Sequence, residues 1–482
     1  MKIEEEQMPA FERGLFYPVK LGDVFCSRYQ VLSKLGFGAN STVWFGRDLH
    51  HHCYIALKIY IRSSEGNREV QVLKHLSSVK THHPGSSLVR KMIEEFKITG
   101  PGGSHQCIVY EPLLTSLLHF QATLNPQSLP EDLLKGALQQ LLLALDYLHS
   151  EAHVIHTDIQ AKNILISSKD DSIFREWDTS EAAEPGPRKL DSSHVIYQSR
   201  PFHRKKGWRG FGMPLLSDFG EARLGDVHNG LIQPDIYRAP EVILGMSWTS
   251  KVDIWNVGAL LWDLFEDHHL FDGRGPNGEH SDAHLLAEMV AILGPPPLDF
   301  LRKAPQSRKY WDSMGRWNVA IEVPHCSLED SEEYLEGENK KMFMQFIRNP
   351  TLQAATAARS NSPSLPPLQS KTQTSSHATV QFPPVQSSPG LTDPGSICHI
   401  NGYMLTYVPT SKITFEMDKD AVTEYRFASR NYPHYFCRTC GTSVYAQSAL
   451  PGEDQPTAVN VRAIHGLDIK ALKVHEYDGK SM

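Results

Sequence analysis

The sequence predicts an α+β fold for most of the chain, and three observations indicate it. Early segments are rich in β-branched and aromatic residues and are separated by turn signals, which is typical of strands. Later segments carry apolar residues at helical spacing. The hydrophobic fraction of 40% is ample for a buried core. The length of 482 residues leaves room for more than one domain of about 150 residues.

The elements of the first part can be placed individually. Three strands are predicted, at 29–35, 42–47 and Cys53–Tyr60. A helix is predicted over 67–76, where apolar residues recur every three positions. A longer helix is predicted over 133–149 because leucines form one apolar stripe there, and the preceding Pro-Glu-Asp sequence suits a helix N-terminus.

Changes in composition divide the chain. An N-terminal extension (1–20) precedes one α+β domain (21–349). Ser, Pro, Thr, Gln and Ala dominate 350–395, which cannot bury enough apolar surface to fold, so a disordered linker is predicted. Turn-punctuated alternation returns in 396–482, which predicts a small β-rich segment. Inside the first domain, 167–213 is predicted to be an insertion whose polar first half (178–193) forms a surface loop. Its later part (200–209) is basic with aromatics, which is more typical of a solvated face than of a contact with an acidic partner.

Charge and hydropathy indicate where in the cell the protein is located and which classes of partner it can bind. The chain lacks an apolar run of membrane-spanning length, and its N-terminus is acidic without a following apolar stretch. Neither a membrane span nor a secretory signal is therefore expected, and the predicted location is cytoplasmic, nuclear or both. The net charge of −7 argues against direct binding of nucleic acid and is compatible with a basic partner.

Three polar residues carry the strongest chemical signal. Asp158 and Asn163 lie five positions apart, and an Asp-Phe-Gly sequence begins later at Asp218. Phosphoryl transfer from ATP needs this set, since one carboxylate orients the attacking hydroxyl while an amide and a second carboxylate hold magnesium ions. The sequence therefore predicts an enzyme that uses ATP and Mg²⁺.

A loop with two glycines joins the first two strands and allows backbone amides to approach phosphate oxygens closely. The residues of this candidate ATP-binding loop are Leu35, Gly36, Phe37, Gly38, Ala39, Asn40, Ser41, Thr42 and Val43. Alone, the loop is equally compatible with an ordinary hairpin turn. Lys58 on the next strand and Glu69 on the next helix favour a nucleotide site, because a lysine held by a carboxylate can reach the α- and β-phosphates.

Residues 21–345 resemble a eukaryotic protein kinase of the SR-protein-kinase-like (SRPK-like) branch. The matching motifs are Asn-Arg-Glu-Val at 67–70, Tyr-Leu-His at 147–149, His-Thr-Asp at 156–158, Asp-Phe-Gly at 218–220, Tyr-Arg-Ala-Pro-Glu at 237–241 and Asp-Ile-Trp-Asn-Val-Gly at 253–258. The resemblance implies a two-lobed protein kinase fold, with an N-lobe at 21–112 and a C-lobe at 113–349. It also implies serine/threonine protein kinase activity.

The resemblance further implies roles for single residues. These are phosphate binding by Lys58, support of that lysine by Glu69, adenine binding by hinge residues that include Glu111 and Leu113, hydroxyl orientation by Asp158, magnesium binding by Asn163 and Asp218, and support of the catalytic loop by Asp253.

The chain departs from the family pattern at two positions of the catalytic loop. Thr157 replaces an arginine that usually pairs with a phosphorylated activation loop, so constitutive activity is expected. Gln160 replaces a lysine that normally contacts the γ-phosphate. Losing one charge-stabilising donor costs on the order of 10²-fold in rate, and Lys162 is a candidate to supply that charge.

The C-lobe is predicted to be truncated. Helical sequence continues to about residue 347 and then passes into the linker. Members of the family carry a further helical segment there, with an arginine that pairs with the carboxylate corresponding to Glu241. Glu241 is therefore expected to lack its partner, which is costly if the side chain is buried.

Carboxylates accumulate between residues 263 and 288, where Arg274 is the only Lys or Arg. In SR-protein kinases the comparable region helps to form an acidic docking surface, and the alternative here is a solvated loop and helix face. Because an acidic surface attracts cationic peptides in a salt-dependent way, basic or Arg/Ser-rich proteins are the predicted substrates.

Cys437 and Cys440 form a Cys-x-x-Cys pair that can hold one face of a tetrahedral Zn²⁺ ion, and Cys398 is the other nearby thiol. This segment resembles the C-terminal half of the glutathione-dependent formaldehyde-activating (GFA, CENP-V-like) family, a β-rich zinc fold. The matches are Cys-His-Ile-Asn-Gly-Tyr at 398–403, Phe-Cys-Arg-Thr-Cys-Gly at 436–441 and Val-Asn-Val-Arg-Ala at 459–463. The family's earlier cysteines are missing, so zinc binding and lyase chemistry are both expected to be impaired.

The sequence leaves three functions open: an active serine/threonine kinase, a pseudokinase or scaffold, and a zinc-dependent carbon–sulfur lyase in 396–482. Retention of Lys58, Asp158, Asn163 and Asp218 favours the first. Whether the two domains are a genuine fusion or an artefact of gene assembly also stays open.

Overall fold

The computed structural model describes residues 2–63, 66–100, 102–190, 195–202, 211–266 and 268–348, together with short segments between 379 and 476. The chain divides into two compact units, Met1–Asn361 and Ser362–Met482, and each is described by itself. In the described parts of the chain, no helix is long and apolar enough to cross a membrane.

The first unit opens with a short helix, α1 (Pro9–Glu12), and an antiparallel sheet. The sheet has the spatial order β1-β2-β3-β4-β6-β5 and consists of β1 (Val24–Phe25), β2 (Tyr29–Gly38), β3 (Ser41–Asp48), β4 (Cys53–Tyr60), β5 (Met92–Gly100) and β6 (Gly103–Tyr110). Helix α2 (Arg68–Ser78) follows β4. It begins after Asn67, whose side chain accepts a hydrogen bond from the Val70 N–H, as an N-cap does. The predicted strands and the first predicted helix coincide with these elements.

The rest of the first unit is mainly helical. Its helices are α3 (Leu117–Ala122), α4 (Glu131–Ser150), α5 (Ser172–Ala183), α6 (Pro240–Ile243), α7 (Lys251–Phe265), α8 (Asp282–Leu293), α9 (Leu298–Lys303), α10 (Leu328–Ser331) and α11 (Gly337–Arg348). Helix α4 contains the predicted leucine stripe, and its buried Leu141, Leu145 and Leu148 belong to one continuous core with residues of α7 and α8. This core fixes the loops that follow α4.

Short strands position those loops. Strands β7 (Thr115–Ser116), β9 (Ile164–Ser168) and β12 (Phe211–Leu216) form one sheet in the order β12-β9-β7, and β8 (Val154–Ile155) pairs with β13 (Arg223–Leu224). The β9–β12 connection is the predicted insertion. It contains α5 and a hairpin of β10 (Arg188–Leu190) and β11 (Val195–Tyr197).

The surface loop predicted for 178–193 is in part helical, because α5 extends to Ala183 and buries one apolar face. Ile173, Phe174 and Trp177 on α5 are buried together with Phe202 and with Phe45 of β3. The cause is an amphipathic helix: its polar residues dominate the local composition, but its apolar residues share one face. The basic part at 203–210 lies outside the described residues.

The described segments of the second unit are strands. They are β14 (Thr379–Gln381), β15 (Gly390–Thr392), β16 (Leu405–Pro409), β17 (Thr414–Glu416), β18 (Val422–Tyr425), β19 (His434–Cys437), β20 (Ser443–Ala446), β21 (Pro456–Asn460) and β22 (Val474–Glu476). One sheet has the order β18-β19-β20-β21-β16-β15-β22, and β14 pairs with β17. Strands β14 and β15 fall inside the range predicted as linker.

Candidate active site

A lysine-centred cluster of charges connects the sheet to α2. Lys58 of β4 places its Nζ 2.7 Å from Oε2 of Glu69 and 3.2 Å from Oδ1 of Asp218. Glu69 is 2% exposed and also accepts hydrogen bonds from the hydroxyls of Tyr60 and Tyr110. Burial opposes the charge of Lys58, but the carboxylates of Glu69 and Asp218 outweigh it and raise the lysine's pKa. Lys58 is therefore a fixed positive charge.

The loop after β8 holds the predicted catalytic residues together. Nδ2 of Asn163 donates to Oδ2 of Asp158 at 2.7 Å and to its carbonyl oxygen at 2.8 Å. The fully buried carboxylate of Asp253, on α7, accepts from the backbone N–H of His156 at 2.8 Å and of Thr157 at 2.7 Å. His149 of α4 contacts the same carboxylate at 2.8 Å. Core helices thus fix the position of the loop.

Gln160 and Lys162 both act on Asp158. The side-chain amide of Gln160 donates to Oδ1 of Asp158. Burial raises the pKa of Asp158, and the nearby Lys162 is the strongest influence in the opposite direction. Lys162 also lines the cavity that Asn163 and Asp218 line. The lysine is therefore placed where it can meet a phosphate.

The segment that starts at Asp218 is tied to the catalytic loop. Thr157 donates its hydroxyl to the carbonyl oxygen of Glu221 at 2.8 Å. Phe219 is buried and packs edge-on against His156, with ring centroids 5.0 Å apart. Thr157 and Asp218 have φ angles of 67° and 65°, in the left-handed region that non-glycine residues rarely occupy. The core around both residues maintains this strained backbone.

One cleft collects most of the predicted nucleotide-binding residues. Its main cavity has a volume of about 560 Å³ and is lined by Leu35, Gly36, Phe37, Gly38, Ser41, Val43, Lys58, Glu69, Leu113, Asn163 and Asp218, among others. Ala39 and Asn40 line the adjoining part, where Asp158 also lies. Thr42 does not line the cleft, because successive side chains point to opposite faces of a strand. Its hydroxyl is buried and accepts a hydrogen bond from the indole N–H of Trp44. The backbone carbonyl of Glu111 accepts a hydrogen bond from the side chain of Arg90, and the side chain of Glu111 is exposed.

Arg90 is a cleft residue that the sequence analysis missed. Its guanidinium donates to the Glu111 carbonyl at 3.1 Å and to the Ser217 hydroxyl at 3.4 Å, and lies 4.1 Å from the ring centre of Tyr110. Burial lowers its pKa. An isolated arginine before a strand carries no motif, so only the fold reveals it.

The residues present fit a magnesium nucleotide. Asn163 and Asp218 offer amide and carboxylate oxygens, the ligands that Mg²⁺ prefers, on the side of the cleft facing Lys58. A Cβ added at Gly36 or Gly38 would meet no protein atom within 4 Å. Glycine at these positions therefore leaves free space beside backbone amides, where a phosphate can sit.

The predicted zinc residues are only partly covered by the structure. Cys437 ends β19, whereas Cys398 and Cys440 lie outside the described residues. Among the residues that the structure describes, no group of three or more His, Cys, Asp or Glu side chains could hold a metal ion.

Replacing Lys162 with Met is expected to move the acidic limb of the kcat/KM–pH profile to higher pH. The lysine lowers the pKa of Asp158, and the role predicted for this carboxylate requires its ionised form. Without the lysine, Asp158 binds its proton at a higher pH, so activity is lost earlier on acidification. Lys169→Met, at an exposed position outside the cleft, is the matched control. Identical profiles for the two variants would contradict this role.

Comparison with known proteins points to one family. The protein kinase domain profile matches residues 29–195. A serine/threonine protein kinase of Aspergillus fumigatus is 88% identical over 348 residues, which is 72% of this chain and 86% of that protein. Serine/threonine-protein kinase SRPK of Physarum polycephalum is 31% identical over 338 residues, 65% of this chain and 78% of that protein. SRSF protein kinase 3 of Mus musculus is 36% identical over 192 residues, 38% of this chain and 34% of that protein.

Proposed function

We propose that this chain, a member of the serine/threonine protein kinase family, phosphorylates serine residues in Arg/Ser-rich protein segments. Membership of that family makes it an ATP-dependent phosphotransferase. The observation that carries the catalytic part is the assembly of Lys58, Asp158 and Asp218 around one cleft. A pseudokinase or scaffold is the less favoured alternative, because these residues and Asn163 are all present and in mutual contact or proximity.

The geometry suits the binding and alignment of ATP. Leu35, Val43 and Leu113 provide apolar contacts for the adenine base at one end of the cleft. Lys58, held by Glu69 at 2.7 Å, is placed to bind the α- and β-phosphates. Asn163 and Asp218 would hold Mg²⁺, which neutralises charge on the phosphates when bound. Lys162 is placed to supply the γ-phosphate contact that Gln160 lacks.

Asp158 is the residue proposed to act on the substrate. Its carboxylate would accept a hydrogen bond from the serine hydroxyl and turn the oxygen toward the γ-phosphorus. Asn163 and Gln160 hold the carboxylate by its two oxygens, so its orientation is set before substrate binds. The hydroxyl proton leaves toward Asp158 as the new P–O bond forms and the bond to ADP breaks. The contact between Thr157 and Glu221 supports an activation segment that is ordered without phosphorylation.

The predicted acidic surface between 263 and 288 is smaller than the sequence suggested. Asp263 accepts from the Tyr237 hydroxyl and His269. Asp282 pairs with Arg238 at 3.3 Å, and Glu288 accepts backbone N–H groups at 2.9–3.1 Å. Internal contacts therefore use much of the negative charge, and among the described residues of this stretch exposed carboxylates remain at Asp272 and Glu279, while Asp267 lies outside them. Support for arginine-rich substrates comes from these groups, from the net charge of −7 and from the named SRPK and SRSF kinase relatives.

An Arg-Ser repeat peptide is expected to be a better substrate than a serine peptide flanked by acidic residues. Exposed carboxylates raise the local concentration of a cationic peptide, and salt screens that attraction. The kcat/KM of the Arg-Ser peptide should therefore fall as ionic strength rises. Both peptides are compared at low and high salt. Equal kcat/KM values, or a salt-independent value for the Arg-Ser peptide, would refute the substrate class.

We also propose the finer organisation that the sequence suggested: a kinase domain at 21–349, a partial GFA-like domain at 396–482, and a cytoplasmic or nuclear location. The strand content of the second unit supports a β-rich domain. No contact in the described residues supports lyase chemistry.

The full chain is expected to retain less than one equivalent of zinc. Cys398, Cys437 and Cys440 are too few thiols to complete the two sites of the GFA family. Elemental analysis after dialysis against a weak chelator measures the ratio. Two equivalents per chain would show that both sites are intact.

A further inference from the structure

The insertion contributes two residues to the nucleotide cleft. Pro201 and Phe202 line the same cavity as Leu35 and Asp218. Phe202 is 2% exposed. Its ring lies 5.1–5.6 Å from the rings of Phe45, Phe174 and Trp177. The cleft wall at this point is therefore the edge of a packed aromatic cluster, and the neighbouring Leu35 and Leu114 contact or belong to that cluster.

Polar contacts fasten the insertion to the sheet. Trp177 donates its indole N–H to the Ser33 hydroxyl at 3.1 Å. Asp178 pairs with Arg47 and accepts the Tyr54 hydroxyl at 3.0 Å. Ser33 lies on β2 close to the phosphate-binding loop, whereas Arg47 of β3 and Tyr54 of β4 lie at the opposite end of these strands. The insertion is therefore attached to the sheet that carries that loop.

A buried lysine on β2 connects the insertion to the N-terminal segment. Lys34 is 2% exposed. Its Nζ pairs with Glu5, lies 3.3 Å from Glu4 and donates to the carbonyl oxygen of Tyr197 at 3.0 Å. Its own carbonyl oxygen accepts the Arg200 N–H at 3.1 Å. Lys34 is thus bonded on one side to residues near the start of the chain and on the other to the strand that leads to Pro201.

The N-terminal carboxylates also contact the insertion directly. Glu4 accepts the backbone N–H of Ser199 at 3.0 Å and its hydroxyl at 2.5 Å, and Glu6 pairs with Lys189 at 2.8 Å. Glu4 has a φ of 52°, a strained angle for a residue with a side chain. The contacts hold that strain, so this segment is a specific attachment and not a loosely associated tail.

We propose that Pro201 and Phe202 form an additional wall of the nucleotide site, and that Glu4 and Glu5 are positioning residues that hold this wall through Lys34 and Ser199. Lys34 directly precedes Leu35, the first residue of the phosphate-binding loop. Removing the carboxylates leaves a buried ammonium without its charged partners, which displaces Lys34 and frees the segment at 197–202. The wall then retreats and nucleotide affinity falls. This inference rests on the nucleotide site of the proposed function, but not on the Arg/Ser substrate class.

The test uses the full chain and measures nucleotide affinity. ADP and ATP dissociation constants are determined by calorimetry for wild type, for the double variant Glu4→Gln/Glu5→Gln and for Pro201→Ala. Both variants should bind nucleotide more weakly, the double variant by about tenfold, with a matching rise in the KM for ATP and little change in kcat at saturating ATP. Glu12→Gln is the control, because Glu12 lies in the same segment but makes only an exposed pair with Lys2.

A further variant, Ser199→Ala, distinguishes a loss of nucleotide affinity from misfolding. Ser199→Ala removes one hydroxyl contact to Glu4 and should weaken ADP binding by a smaller factor at an unchanged melting temperature. Wild-type dissociation constants in the folded double variant and in Ser199→Ala would overturn the proposal, as would a loss of kcat at constant KM. If the variants weaken nucleotide binding as expected but the wild type does not phosphorylate Arg-Ser peptides, this inference stands and the substrate class alone is refuted.

Discussion

Replacing Asp158 with Asn is expected to lower kcat by about 10²–10⁴-fold, the range for removal of a positioned acid–base group. The change removes the carboxylate proposed to orient the serine hydroxyl and leaves Lys58 and Asp218 in place. Affinity for ATP should therefore stay close to that of wild type, since Lys58 and Asp218, the residues proposed to hold the phosphates and Mg²⁺, contact each other without Asp158. Initial rates and a nucleotide-binding titration measure the two quantities.

Asp218→Asn is the comparison that separates the two roles. Lys58 lies 3.2 Å from Asp218. Burial favours protonation of this carboxyl, but the positive charge of Lys58 outweighs burial and lowers its pKa. The ionised group is suited to Mg²⁺, so its loss should weaken magnesium-dependent ATP binding as well as turnover. If the Asp158 variant retained wild-type kcat, or lost ATP binding to the same extent as the Asp218 variant, the assigned roles would be wrong.

Replacing Glu241 with Gln is expected to stabilise the protein at alkaline pH. Glu241 is buried on α6, and its Oε2 has no hydrogen-bond partner among the described residues. Burial raises the pKa of this carboxyl to about 7.

The direction of the pH effect follows from proton binding. Between pH 4.5, the ordinary pKa, and about 7, the folded state keeps a proton that the unfolded state releases. Stability is therefore greatest at low pH in this range and falls as pH rises through 7, by about 3 kcal/mol in total. Glutamine is neutral at every pH, so Glu241→Gln should match wild type near pH 5 and melt several degrees higher at pH 8.

Thermal unfolding at pH 5 and pH 8 measures this difference. Glu333→Gln is the matched control, because Glu333 is exposed and its replacement should change neither melting temperature by much. A Glu241→Gln variant that melts at or below wild type at pH 8 would show that the carboxylate is paired or solvated.

Local sequence was sufficient to predict much of the fold and the core of the cleft. The strands that carry Lys58 and the phosphate-binding loop follow from composition and turn signals, and residues such as Asp158 and Asn163 lie close together in the chain. Contacts between distant segments were not predictable in this way. Glu4 meets Ser199, and Arg90 meets Ser217, because of the tertiary packing of otherwise ordinary polar residues.

The same limit explains two features that the sequence did not reveal. Helix α5 was hidden by its polar composition, although Ile173, Phe174 and Trp177 bury one face of it. The acidic stretch near Asp263 was read as a free surface because charge alone does not reveal partners. Tyr237 and Arg238 come earlier in the chain, by 26 and 44 residues, and bind Asp263 and Asp282. Residue counts give the amount of charge, but only packing shows how much of it reaches solvent.

The most direct test of the central claim is transfer of the γ-phosphate by the purified full chain. The protein is incubated with Mg²⁺ and γ-labelled ATP in the presence of an Arg-Ser repeat peptide, with Asp158→Asn as the matched inactive form, and the modified residue is identified by mass spectrometry. The predicted result is that wild type labels serine in the peptide and that the Asp158→Asn variant transfers at least a hundredfold less label. No transfer to any protein or peptide serine by folded, ATP-binding wild type, or equal transfer by both forms, would contradict it.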